Sequence, residues 1–374
     1  MNRIAIFSVY DPNGHAGGYI YALLDSLKTY FDKLVIVING RLNADSYEKL
    51  KKYCSVIVKR DNTGYDAGAY KAVLFETLKD KKWEKWDELF LFNDTFYGAI
   101  HQWDYVFTTM EKLHLDFWGL SEFPNGSFPD GEFIPSHIQS YFLCVSKRIF
   151  MDKSWPLFWE ETGNAVTYKD AIKSFEIRFT RFFSERGFQS GSFLNAISPD
   201  FKIRKNENPV EKYAFEIIRD FRFPVLKKKV VCLQNYSQMK KALSYIQANT
   251  DYDIGLIEED VAYRRSHHLL KPYDTSRLIL FLQKNKSEKI YLYGYGKDGH
   301  NIAEFLTDNG FTFEKFVVTH KDTSDDRVIE YREIAGMQGV KMILALGEGA
   351  FREVYPIVAG DFSEEDLFLP VYKW

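Results

Sequence analysis

Along the first half of the chain, short apolar runs alternate with stretches of helical period, the order of βαβ units on a parallel sheet. IAIFSVY (4–10) reads as a buried strand and GGYIYALLDSLKTY as the amphipathic helix behind it. KLVIVING (33–40) and ADSYEKLKKY repeat the pair, and SVIVKR (55–60) leads through a glycine turn into AYKAVLFETLKD. ELFLFND (88–94) and LDFWGLSE (115–122) supply a fourth and a fifth strand. Pro-Asn-Gly and Pro-Asp-Gly mark turns within FPNGSFPDGEF (123–133), and SYFLCVSKRIF (140–150) reads as a strand passing into a helix.

Beyond Pro209 the pattern becomes helical and irregular, and 236–285 reads as helices and connections without a repeat. KIYLYGYG (289–296) restarts the strand–helix order, continued by FEKFVVT and KMILALG. A boundary near residue 285 follows. The expected organisation is an α/β domain over 1–235 with a mostly parallel central sheet, a helical connector over 236–285, and a small Rossmann-like domain over 286–374. A length of 374 residues accommodates it, since about 150 residues per domain gives roughly two to two and a half domains.

Composition removes several classes. Hydrophobic residues make up 45% and charged residues 27%, which excludes a disordered or collagen-like chain. Three scattered cysteines, Cys54, Cys144 and Cys232, make no disulfide framework and read as thiols in a reducing compartment. A net charge of −3 without a long single-sign block leaves nucleic acid no electrostatic footprint. No apolar run approaches the ~18–20 residues of a membrane span, and the opening apolar stretch is too short for a signal peptide. A cytoplasmic protein is expected. Aromatics at 17% exceed ordinary use; most must pack cores, and a surplus could stack on sugars or bases.

Three constellations carry candidate chemistry. In Asn62-Thr63-Gly64-Tyr65-Asp66-Ala67-Gly68, between the third strand and its helix, Gly64 and Gly68 let the backbone approach a ligand, and the helix N-terminus offers N–H groups to an anion. Asp66 either contacts a nucleoside hydroxyl or merely caps the helix. Asn93-Asp94-Thr95 follows a buried strand, where a carboxylate faces the crevice in which open α/β sheets bind ligands. One acid beside an amide and a hydroxyl suits Mg²⁺ or Mn²⁺ on a diphosphate, with Asp94 as the ligand; the rival reading is an Asx turn. The third group is His137-Ile138-Gln139-Ser140-Tyr141-Phe142, polar residues opening an apolar strand. Glu176, near the start of the helix FEIRFTRFFSERGF (175–188), is either a general base or a favourable first-turn charge.

Taken in order, NTGYDAGAYK, LFNDTFYG, DFWGL, HIQSYFL and FEIRFTRFFSERGF resemble the rhamnan synthesis protein F family over roughly residues 3–230. Pro224-Val225-Leu226-Lys227 also matches a family segment after the catalytic core. The resemblance implies a GT-A-like glycosyltransferase of bacterial rhamnose-containing polysaccharides, in the cell wall, capsule or O-antigen. It implies dTDP-L-rhamnose as donor and an oligosaccharide or lipid-linked glycan as acceptor, with peripheral contact at the inner face of the membrane. By resemblance Asn62, Gly64, Asp66, Gly68, Asn93, Asp94 and Thr95 bind the donor, Asp94 standing for the acidic DxD signature. Gln139 and Trp118 lie on the acceptor side, and Glu176 or His137 is the base. Asn-Asp-Thr offers one acid where that signature has two.

The last unit carries Gly294-Tyr295-Gly296-Lys297-Asp298-Gly299, a GxGxxG match between a strand and a helix, the context of a dinucleotide fingerprint. The next strand ends in Thr319-His320-Lys321, where an acid for the ribose is expected. About 85 residues offer at most one mononucleotide-binding half. No bound NAD is expected there, and crowding around Gly296 should make Gly296→Ala destabilising. Two other classes remain open: an NAD(P)-dependent oxidoreductase built on this loop, and a non-catalytic glycan- or nucleotide-binding protein.

Overall fold

Arg3–Val9 forms β1, with all seven residues buried, as a strand covered on both faces requires. The computed structural model describes residues 1–374 except 79–81, 129–130, 163–164, 268, 270–272, 274 and 372–374. The end of the helix read from AYKAVLFETLKD, at Lys79 and Asp80, and Pro129-Asp130 of the second turn signal lie outside the described residues. Contacts divide the chain into two units, Met1–Lys227 with Tyr245–Ile257, and Lys228–Ser244 with Glu258–Trp374.

In the first unit β1 is followed by α1 (Gly18–Leu27), β2 (Lys33–Asn39), α2 (Ala44–Leu50), β3 (Val56–Arg60) and α3 (Tyr65–Ala72). A π-helical turn, Val73–Thr77, extends α3. Then come β4 (Glu88–Asn93), β5 (Phe96–Gly98), α4 (Trp103–Glu111) and β6 (Phe117–Gly119). Short strands fill the next stretch: β7 (Glu122–Phe123), β8 (Gly126–Ser127), β9 (Phe133–Ile134) and β10 (His137–Ile138). They are followed by β11 (Phe142–Ser146), β12 (Ser190–Ser192) and β13 (Val225–Lys227).

Seven strands make one sheet in the order β12-β6-β11-β4-β1-β2-β3. All run parallel except β11, which is antiparallel to both neighbours. This is the mostly parallel central sheet that the sequence pattern predicts. The reversal at β11 has a local cause: β6 and β11 are joined through two small antiparallel pairs, β7 with β10 and β8 with β9, and not through a crossover helix.

Alternation along the strands divides the core. Ile4, Ile6, Val35, Val37, Leu89 and Leu91 join Tyr70, Phe158, Trp159, Phe175, Phe179 and Phe183 on one face. On the other, Phe90 and Phe92 meet the Phe142 ring at 5.7 Å, and Trp103 stacks on it at 5.1 Å. Much of the aromatic surplus is therefore core. Phe175, Phe179 and Phe183 recur every four residues, through a π-helical turn (Ile172–Ile177) into the helix Arg178–Ser184.

The second unit holds β14 (Lys289–Tyr293), β15 (Phe316–Val318), β16 (Val328–Glu330), β17 (Val340–Leu344) and β18 (Leu367–Phe368), all parallel in the order β16-β15-β14-β17-β18. The expected Rossmann-like unit is present, and its five strands exceed the single half that its length suggested. The boundary near 285 needs moving. Leu233 and, on the helix Thr275–Lys284, Leu278 and Leu282 are buried with Leu292, Ile302 and Phe305 in this unit's core. Residues 236–285 are thus shared between the units rather than a separate connector.

The glycine loop divides its duties. Gly294 has φ +119° and a Cβ there would lie 2.4 Å from the Ala345 carbonyl; a Cβ at Gly299 would lie 2.0 Å from the Gly294 carbonyl. A Cβ at Gly296 meets nothing within 4 Å, so the expected crowding at Gly296 is absent. The tight packing sits at Gly294 and Gly299.

Candidate active site

Three parallel strands end side by side, each with a polar residue at or next to its end. Ser8 of β1 is registered with Asn93 of β4, and Asn39 closes β2 alongside. All three are buried. Asp66, in the first turn of α3, reaches into this group: its carboxylate accepts from the Ser8 hydroxyl at 2.7 Å and from the Asn93 amide at 2.7 Å. The Asn39 amide donates to Ser8 at 3.1 Å, and Arg60 holds the Asn39 carbonyl oxygen and the Thr63 backbone carbonyl, each at 2.7 Å. Burial pushes the Asp66 carboxyl up, against the opposing pull of Ser8, Asn93 and the Lys227 charge.

Asp66 therefore does not cap its helix. The N-cap is Gly64, whose φ of +74° favours glycine. A Cβ at Gly68 would lie 2.2 Å from the Thr63 carbonyl, so that glycine lets the helix close on its own loop. Asn62 is half-buried in the same loop.

Asn93 forms the Asx turn, accepting from the Thr95 hydroxyl at 2.6 Å and the Thr95 amide at 3.2 Å. The turn reading thus belongs to Asn93, while Asp94, 8% exposed, stands beside it at the strand end. Lys227 arrives from β13, which pairs antiparallel with β5 so that Lys227 faces Phe96. Its ammonium donates to Thr95 Oγ1 at 2.6 Å and lies 3.9 Å from the centre of the Tyr141 ring. This buried lysine had no role assigned from sequence; its partner is 132 positions away, and only its place at the end of an apolar strand hints at burial.

A second group adjoins. Glu176, on its π-helical turn, accepts from the Ser140 amide at 2.9 Å and the Ser140 hydroxyl at 2.7 Å. His137 Nε2 lies 3.7 Å from the other Glu176 oxygen, while Nδ1 faces the Pro135 carbonyl at 2.8 Å. A carbonyl only accepts, so Nδ1 carries a proton. Burial raises the Glu176 carboxyl, but His137 and Ser140 outweigh it and hold it at about 2. Gln139 is tied through Ser121 to Tyr141, with both contacts at 2.7 Å. Trp118 needs correcting as an acceptor-side residue: it is 4% exposed and meets Phe90, Phe107 and Phe142, leaving no face for a sugar.

Among the described residues no group of three or more His, Cys, Asp or Glu side chains is placed to hold a metal ion. Asp94, with Asp66 behind the same turn, fits instead a cation that takes one or two protein carboxylates and completes its shell with phosphate and water.

Residues 34–359 match the family described as Rhamnan synthesis protein F. This chain belongs to that family. The match runs through both units, beyond the stretch of roughly 3–230 that carries the resembling motifs. The chain is 25% identical over 185 residues to the uncharacterized protein y4gN of Sinorhizobium fredii, covering 50% of this chain and 46% of that protein. It is 25% identical over 199 residues to the virulence protein VirA of Vibrio anguillarum, covering 52% and 60%. The chain thus spans about half the length of these curated relatives. Similar solved structures include a putative nucleotide-diphospho-sugar transferase from Desulfovibrio desulfuricans G20, with TM-score 0.32, 13% identity, and 66% of this chain and 98% of that one covered. Another is TarS 1–349 of S. aureus, with TM-score 0.29, 13% identity, and 67% and 74% covered. Among the described residues no helix is long and apolar enough to cross a membrane.

Proposed function

We propose that this protein is a glycosyltransferase that moves a sugar from a nucleoside diphosphate onto a glycan, with L-rhamnose from dTDP-L-rhamnose as the family-based assignment. The observation that carries the reading is the convergence of Asp66, Asn93, Asp94, Thr95 and Lys227 where β1, β2 and β4 end. Family membership supplies the substrate class.

In transfer, the bond from the sugar's anomeric carbon to the phosphate oxygen breaks and the diphosphate leaves with the electron pair. The acceptor hydroxyl forms the new bond and gives up its proton. Lys227 places a fixed positive charge at the donor end. A divalent cation on Asp94 would add charge neutralisation of the diphosphate. Glu176 is ionised at physiological pH and weakly basic, so it takes the proton late, once bond formation has made the hydroxyl acidic. His137 and Ser140 fix its two oxygens. The glycan acceptor, its lipid carrier and a cytoplasmic, membrane-peripheral setting belong to the same reading.

The test is a panel of nucleotide sugars with acceptor mimics, read by release of nucleoside diphosphate. Turnover with a thymidine-linked sugar, preferred over uridine and guanosine donors, is expected. No release and no binding with any donor at millimolar concentration would end the proposal.

A further inference from the structure

Tyr70 follows Asp66 by four residues on α3, a spacing that sets both side chains on one helix face. Its side chain is fully buried, and its ring lies 5.9 Å from that of Phe175, the residue before Glu176. Burial keeps the phenol protonated, and the charges of Asp66, Asp94 and Glu176 act on it in the same direction. The side chains around it are engaged: Asp66 by Ser8 and Asn93, Glu176 by Ser140. The Tyr70 hydroxyl has no hydrogen-bond partner. A buried hydroxyl left unpaired costs about 1–3 kcal/mol, and native folds keep few of them.

What this hydroxyl lacks is an acceptor, and its surroundings limit the kind. A phosphate oxygen at the phenol would feel three carboxylates of its own sign, whereas beside Thr95 it has the Lys227 ammonium. A neutral hydroxyl suits the place: it accepts from the phenol and donates its own O–H to a carboxylate. A donor sugar supplies such a group next to the diphosphate. On the glycosyltransferase reading, we infer that Tyr70 donates a hydrogen bond to a hydroxyl of the transferred sugar and so distinguishes the sugar-bearing donor from the bare nucleoside diphosphate. In the free protein the hydroxyl is closed off, and the sugar oxygen takes the position that burial leaves without an acceptor.

Tyr70→Phe tests this in the full chain, because it deletes one oxygen and keeps the ring that packs on Phe175. Three readings are taken: the melting temperature without ligand, the affinity for dTDP, and the affinity for dTDP-L-rhamnose. UDP and GDP pairs replace the thymidine pair if wild type prefers them. The variant should melt at or above wild type, bind the bare diphosphate equally, and bind the sugar-bearing donor about tenfold more weakly, the loss of one hydrogen bond. A melting point several degrees lower would mean that the hydroxyl already has a partner inside the protein, and overturns the inference. So would equal losses for both ligands, or none for either. Wild type that binds no nucleotide sugar brings down the underlying reading, and this inference with it, before any variant is compared.

Discussion

At the scale of single residues, Glu176 sits under opposing influences whose balance can be measured. Its carboxyl is held at about 2, below its ordinary 4.5, so the stabilisation it contributes is complete above pH 4.5 and is lost as pH falls toward 2. Wild type should therefore lose stability more steeply than Glu176→Gln across that window, by on the order of 3 kcal/mol in melts taken at several pH values. At neutral pH the same variant should turn over at least ~10²-fold more slowly while donor affinity is kept. Lost donor affinity would remove Glu176 from the acceptor side. Asp94→Asn keeps the shape and removes one charge; turnover should fall on the order of 10²-fold at an unchanged melting temperature. If EDTA leaves wild type untouched while Asp94→Asn is slow, Lys227 supplies the needed charge without a cation. Asp66, Asp94 and His137 were legible in the sequence because each stands at a strand end or helix start; Glu176, in mid-helix, was legible only through the order of the family's motifs. Ser8, Asn39, Tyr70 and Lys227 were not, since nothing local separates a functional Ser or Tyr from a core one until the fold supplies its neighbours.

At the scale of elements, the parallel strands were legible because β1, β2 and β4 are apolar on both faces and β-rich in composition. The direction of β11 was not: an apolar run such as FLCV carries no sign, and the sign comes from the hairpins that replace a crossover helix between β6 and β11. The two π-helical turns, at 73–77 and 172–177, are equally silent in sequence, yet the second presents Glu176 to Ser140. In the C-terminal loop all three glycines fit one motif, and only the backbone separates their duties. Gly299→Ala forces a Cβ toward a carbonyl 2.0 Å away and should cost several degrees in thermal melts. Gly296→Ala enters open space at φ −81° and should melt within a degree or so of wild type. A large loss at Gly296 would mean that the loop is closed by something not yet seen.

At the scale of the whole molecule, the division of the chain matters more than its length. It passes between the units after Lys227, Ser244 and Ile257, so no single cut releases either one. A fragment ending near residue 285 keeps Leu233, Leu278 and Leu282 but loses Leu292, Ile302 and Phe305, which cover them. It should be poorly soluble, read as the soluble fraction on expression, even though every donor-site residue precedes Lys228. The intact chain also separates the oxidoreductase alternative from the transferase. Calorimetry with NAD(H) and NADP(H) should show no micromolar binding, because β15 runs into Thr319 and His320, which offer no ribose acid. The three crossings also bear on how such a protein can change over generations. A unit joined at one point can be exchanged by a single recombination. Here a foreign C-terminal unit would have to match three junctions at once, and two of them fall inside the helices Tyr236–Asn249 and Gly255–Ser266. Inheritance as one piece is the outcome that leaves those helices whole, and a family match running from 34 to 359 across both units is what descent of that kind leaves behind.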